Sequence, residues 1–179
     1  MVEIAEAKTW INRAVFIMLA FIIMAIHLVP LDQRPATWAP PDILLAMTCV
    51  WVARRPDYAP VYIVAALFFA TDLFFQRPPG LWAALVVLLT EAIRRRHLDM
   101  RSMPFLAEWG FVTLGLVLIT LANRLVLAIV LTPQAPLGLT MMQLGGTILI
   151  YPVVVVAAHF LFGVVRPAPG DMRKIGQRP

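Results

Sequence analysis

Uncharged stretches alternate along this chain with short breaks rich in proline and charge. Ala14 to Leu31 carries no charge for 18 residues, Trp109 to Asn123 none for 15, and Leu125 to Val165 none for 41. A hydrocarbon core about 30 Å thick takes about 20 helical residues, so the longest run holds more than one piece and should break at "TPQAPLG", Thr132 to Gly138. The pattern predicts six helices: Ala14–Leu31, Asp42–Ala53, Pro60–Phe75, Pro79–Ile93, Phe105–Leu131 and Leu139–Phe162. Proline punctuates the gaps, because it lacks an N–H and disfavours helix in the residue before it. In lipid each backbone polar group must be bonded within the protein, so the segments are read as helices and not as open strands.

Two segments qualify this pattern. The first follows Lys8 and Arg13 like a signal peptide, but its apolar run exceeds the usual length of about 7–15 residues and ends without a small-x-small cleavage site. It is expected to remain as an anchor. The second has 11 uncharged residues between Asp42 and Arg54, roughly 17 Å of helix. It spans if its flanking charges snorkel or the bilayer thins; alternatively, the second and third segments form a re-entrant pair and leave four spans.

Composition agrees with a membrane solvent. The chain is 61% hydrophobic and 14% charged, with a mean hydropathy of +0.82, against about 45–50% and about 25% for soluble domains. Its 179 residues suit one domain: residues 1–165 read as a single transmembrane unit and 166–179 as a basic, disordered tail. The lone Cys49 excludes an intrachain disulfide and reads as a small buried hydrophobe.

Charge gives the orientation. With the amino terminus inside, 12 of the 15 basic residues fall in cytoplasmic segments, among them Arg54, Arg55 and the cluster Arg94, Arg95, Arg96 and Arg101. Only Arg34 and Arg77 lie outside, and Arg124 lies within a span. The positive-inside rule therefore puts both termini in the cytoplasm. The cluster reads as an orienting loop, with contact to anionic lipid or to a cytoplasmic partner as its other reading.

Candidate chemistry is sparse. His27, His97 and His159 have no partners at metal-ligand spacing, and there is no P-loop, no G-x-S-x-G and no C-x-x-C. A non-enzyme is expected, without metal, cofactor or nucleic-acid partner. His27 and His159 read as interhelical hydrogen-bonding groups. Glu91 should pair with Arg94 and Arg95 one turn on, and Glu108 should sit at the cytoplasmic rim near the start of its helix. Asp72 and Arg124 fall at similar depth near the outer end, and Thr113, Thr120, Asn123 and Arg124 share one helical stripe. That layer reads as an ion pair between Asp72 and Arg124, as the lining of a ligand cavity, or as a dock for a partner helix. Ala66 with Ala70, and Gly145 with Gly146, are candidates for close helix packing.

The stretches "PPDILLAMTCVWVARRPDYAP" and "ATDLFFQRPPGLWAALVVLLTEAIRRR" resemble the rod shape-determining protein MreD family. The resemblance lies in Pro41-Asp42, in Asp72-Leu73, in the Pro79-Gly80 turn and in the basic loop that follows; it covers roughly residues 38 to 101. Where that family often carries glycines before the third-helix aspartate, this chain has "IVAALFFAT". The resemblance implies a six-span helical bundle similar in fold to the substrate-binding components of energy-coupling-factor transporters. It also implies a non-enzymatic scaffold of the bacterial inner membrane that binds an MreC-like bitopic protein and, through it, the actin-like MreB and the peptidoglycan synthases of elongation. The related fold supplies the competing expectation, a vitamin-binding transporter component. Against it, the first helix lacks the alanines four apart that such components present to their transporter: it reads Ala14 to Met18 and Ala20 to Met24 at that spacing.

The orientation is testable by labelling. Cysteines placed at Asp57 and Asp99, in a background lacking Cys49, are expected to resist an impermeant maleimide applied from outside. Labelling at position 57 alone would indicate the four-span arrangement, and labelling at both would reverse the topology.

Overall fold

The computed structural model describes residues 2–28, 38–100 and 103–162. Arg34, Arg101 and the tail at 166–179 lie outside them. Seven helices follow in order: α1 Val2–Leu28, α2 Ile43–Arg54, α3 Val61–Phe74, α4 Leu81–Arg95, α5 His97–Met100, α6 Phe105–Ile129 and α7 Leu137–Phe162. No strand occurs among the described residues. The boundaries of α2, α3, α4, α6 and α7 fall within two residues of those expected from the apolar runs. α1 begins at Val2 instead of Ala14, because the charged prefix "VEIAEAKTWINR" is rich in good helix formers and continues the helix beyond the apolar run. α5 is a single turn within the basic loop.

Among the described residues, three segments are long and apolar enough to cross a membrane: Glu6–Leu28, Phe105–Ile129 and Leu137–Leu161. They mark an all-helical membrane protein. α2 and α3 are apolar but shorter, so length and composition identify three spans where the sequence pattern led us to expect six.

The shortness of α2 goes with its position. Every residue from Leu44 to Arg54 is buried, and the helix packs against α7, α4 and α1. A helix apolar on all sides has no face to give to water and is stable only when enclosed. Its one interior hydroxyl, on Thr48, donates to Leu44 O at 2.8 Å and so brings no unpaired group into the core. Around it, Phe16 stacks obliquely on Trp51 with ring centroids 6.1 Å apart. The outer helices reverse this arrangement. Phe21, Leu118, Leu125, Leu149 and Phe160 point outward from α1, α6 and α7, as expected where the surrounding solvent is hydrocarbon.

α3 and α4 run antiparallel. The end of α3 meets the start of α4 through Asp72 and Gly80, while Arg94, at the far end of α4, reaches back to the α2–α3 connection at Pro56 and Ala59. α4 also packs against α6 and therefore lies between α3 and α6.

α7 carries Pro152 in its interior. A proline there removes the hydrogen bond that its N–H would have made to the carbonyl four residues earlier, which is Ile148. Trp109 of α6 supplies the missing donor: its Nε1 donates to Ile148 O at 3.0 Å. The pair ties α6 to α7 at the point where α7 has lost a backbone bond. Trp109→Phe should therefore cost about 1 kcal/mol by leaving a half-buried carbonyl unpaired. In a Pro152→Ala background, where an α7 amide can take that carbonyl, the same substitution should cost clearly less. Thermal midpoints of the four proteins in detergent would check this cycle; equal costs in both backgrounds would disprove the coupling.

Candidate functional site

One end of the bundle is where α2 and α4 begin, α6 ends and α7 starts. A short carboxylate directly before an apolar helix is a natural N-cap, and Asp42 fills that role for α2: its Oδ1 accepts from Leu45 N at 2.9 Å. The amide of Asp42 donates to Thr147 Oγ1 of α7 at 2.9 Å, and that hydroxyl donates to Gln143 O at 2.7 Å. Beside it, a Cβ on Gly146 would lie 3.3 Å from Pro41 Cβ, so the bare glycine lets the Pro41-Asp42 turn sit against α7. A Cβ on Gly145 would meet nothing within 4 Å, so Gly146 alone makes the close approach.

Asp72 is fully buried and caps a different helix from its own. Its Oδ2 accepts from Gly80 N at 3.0 Å and Ala83 N at 3.1 Å, the first free donors of α4. A carboxylate there also meets the positive end of the helix dipole. Gly80 has φ +87°, a left-handed conformation that a side chain would strain. Asp72, the turn and Gly80 thus form one corner.

The expected Asp72–Arg124 ion pair does not form. Arg124 Nη1 donates instead to Thr140 Oγ1 at 2.7 Å and to Ala135 O at 3.2 Å, while Gln134 Nε2 donates to Arg124 O at 3.1 Å. The two residues lie on different sides of the bundle, because α4 packs against both α3 and α6 and stands between them. Arg124 holds the α6–α7 connection to the end of α6. Together with Thr120 and Asn123 it lines a cavity of about 310 Å³, floored by Leu45, Leu116, Trp82 and Leu144 and edged by Asp42, Arg77 and Gln143. Thr113 is not part of its wall.

The opposite end carries the basic residues. Arg94 donates to Pro56 O at 2.9 Å and to Ala59 O at 2.6 Å, with Glu91 3.5 Å from its Nε. Arg95 pairs with Glu91 at 3.2 Å, and Arg96 lies 5.0 Å from the Phe111 ring centroid. Arg13 of α1 donates to Asp57 O at 2.8 Å on the same connection. Arg94 is thus a staple between α4 and the α2–α3 connection, and Arg95 is the more exposed of the two pairs.

Glu108 lies in the first turn of α6 as expected, but it is turned into the bundle. It is 1% exposed, accepts from Tyr151 Oη at 2.9 Å and lies 3.6 Å from Arg54 Nη2. One carboxylate therefore joins the end of α2 and the start of α6 to the middle of α7. The sequence reading missed this trio because its members come from three helices with no shared spacing; an acid four residues into an apolar helix was the only signal. A further omission is Gly115 of α6, where a Cβ would collide with the Leu89 side chain of α4.

The remaining candidates lie apart. Ala66 is exposed and Ala70 half-buried on α3. His27 bonds within its own helix, to Ile23 O at 3.0 Å, and packs edge-on to Phe75. His159 meets the ring of Phe160 edge-on. Neither makes the interhelical hydrogen bond expected of it, because each finds its partner on or beside its own turn or against a ring. Among the described residues no group of His, Cys, Asp and Glu is placed to hold a metal ion.

The buried trio generates a stability test. Removing one member of a buried pair strands the other, at about 3–5 kcal/mol, whereas replacing both by apolar groups is often close to neutral. Glu108→Ala should therefore lower the detergent melting temperature strongly, Tyr151→Phe only slightly, and Arg54→Met with Glu108→Leu should recover most of the loss. A double substitution as damaging as Glu108→Ala would show that the pair is needed for itself.

Compared with known proteins, the chain matches no family model, no curated protein and no solved structure.

Proposed function

We propose that this chain is a non-enzymatic scaffold of the bacterial inner membrane, similar to the MreD family. In this reading it binds an MreC-like bitopic protein and couples it, by way of MreB and the peptidoglycan synthases, to wall synthesis during cell elongation. The observation that carries the reading is where the resembling residues sit. Pro41-Asp42 and the Asp72–Gly80 corner lie at neighbouring helix starts, and each positions one helix against another through buried hydrogen bonds. The quoted positions thus act together in building one end of the bundle.

In the same reading α2, α3 and α4 cross the membrane with α1, α6 and α7, in an arrangement like that of transporter substrate-binding components. Both termini are cytoplasmic and the Asp42–Asp72 end faces outward. Lipid tails give apolar helices no hydrophobic reason to associate, so a partner helix must be held by close packing and a few polar contacts. Ala66 on α3 is open to such an approach, as are the outward leucines of α6.

The expected outcome is co-purification with an MreC-like bitopic protein from mild detergent, and rounding of rod-shaped cells when the protein is depleted, with vitamin uptake intact. Normal shape combined with lost uptake of one vitamin would overturn the scaffold reading in favour of a transporter component.

A further inference from the structure

The cavity between the starts of α2, α4 and α7 and the end of α6 holds polar groups that the fold does not use. Asn123 and the side chain of Gln143 face it and make no hydrogen bond among the described residues. Arg77 lines it as well, with no carboxylate within ion-pair distance among those residues; its guanidinium carbon lies 5.5 Å from the Phe75 ring centroid and 5.8 Å from that of Trp82. Arg124 bonds through Nη1 to a carbonyl and a hydroxyl and pairs with no carboxylate among the described residues. Against these two guanidiniums the wall offers one carboxylate, Asp42, whose Oδ1 is already committed to the cap of α2.

This is the composition of a site for an anion attached to an apolar body. Guanidinium groups match phosphate oxygens with paired, charge-assisted hydrogen bonds, the two amides supply neutral donors, and the floor of leucine and Trp82 takes apolar surface. Size narrows the choice. At 310 Å³ the space is at the lower end of ligand pockets; it admits a headgroup or a small molecule, while acyl chains would have to remain outside. We propose that the cavity binds the net-anionic phosphate-monoester head of an amphiphile, with Arg77 and Arg124 on the phosphate and Asn123 and Gln143 on its oxygens or ester. The site stands independently of the scaffold reading, since none of these four side chains is needed for a helix to dock on the outside of the bundle.

The test uses the full chain in detergent, titrated separately with dioctanoyl phosphatidic acid, dioctanoyl phosphatidylcholine and inorganic phosphate, with bound mass read by native mass spectrometry. Phosphatidic acid is expected to bind one per chain and about tenfold more tightly than phosphatidylcholine. Arg77→Gln and Gln143→Leu, whose side chains make no hydrogen bond among the described residues, should each weaken phosphatidic acid binding about tenfold, with at most a slight lowering of the melting temperature of the empty protein from the lost Arg77 ring contacts. Arg96→Gln, which removes a cation at the other end of the bundle, should leave binding as it was. Inorganic phosphate binding in an Arg77-dependent way would show that a free anion suffices, and binding of the lipid alone would show that the apolar body is required; either result upholds the site. Equal binding of the two lipids, or equal losses in Arg96→Gln and Arg77→Gln, would overturn it.

Discussion

A polar group enclosed among apolar helices has no water to turn to, and burying it costs about 1–3 kcal/mol or more unless the protein itself supplies a partner. That requirement organises this molecule. The carbonyl of Ile148, freed by Pro152, receives the indole of Trp109. The carboxylate of Asp72 takes two amides at the start of α4, and that of Glu108 takes Tyr151 beside Arg54. Each solution links two or three helices that the apolar contacts alone would leave free to slide, since leucine packs on leucine in many registers. The few polar groups thus fix where the helices stand, and the many apolar ones fix only that they associate.

α2 shows how the two kinds of contact combine. Its 12 residues are enclosed by α1, α4 and α7, and its ends are held by different chemistry. At the start, Asp42 caps the helix and its amide reaches Thr147. At the finish, Arg54 is drawn inward to Glu108. A helix this short has little room to adjust along its axis, so both ends act as stops. Because α2 touches most of the other long helices, its placement is passed on to the cavity at one end and to the basic face at the other.

The two ends then differ in what their polar groups have left to offer. At the basic end Arg13, Arg54, Arg94 and Arg95 are engaged with carbonyls or carboxylates of the chain itself, and Arg13 and Arg94 hold the α2–α3 connection in place. At the other end Arg124 secures the α6–α7 connection, but Asn123, Gln143 and Arg77 face open volume. Most of the charges at one end are therefore spent on the chain itself, and the other end retains uncommitted donors beside apolar lining residues.

Much of this architecture was legible in the linear pattern, because the solvent imposes it locally. Runs of uncharged residues broken by proline gave five helices nearly to the residue, and one-turn spacing gave the Glu91 pairs with Arg94 and Arg95. Such features depend on neighbours within four residues, where backbone geometry settles who can meet. The azimuth of each helix is another matter. Depth alone suggested that Asp72 would meet Arg124, yet α4 separates them, and Asp72 serves the helix that follows it. The burial of Glu108, the match of Trp109 to the carbonyl behind Pro152, and the collision that keeps Gly115 bare against Leu89 are likewise absent from any local spacing. The sequence by itself determined the solvent, the helices and their breaks; the tertiary structure decided which polar groups are consumed in joining them and which remain free, because that depends on the rotation of each helix about its axis, which packing with every neighbour fixes at once.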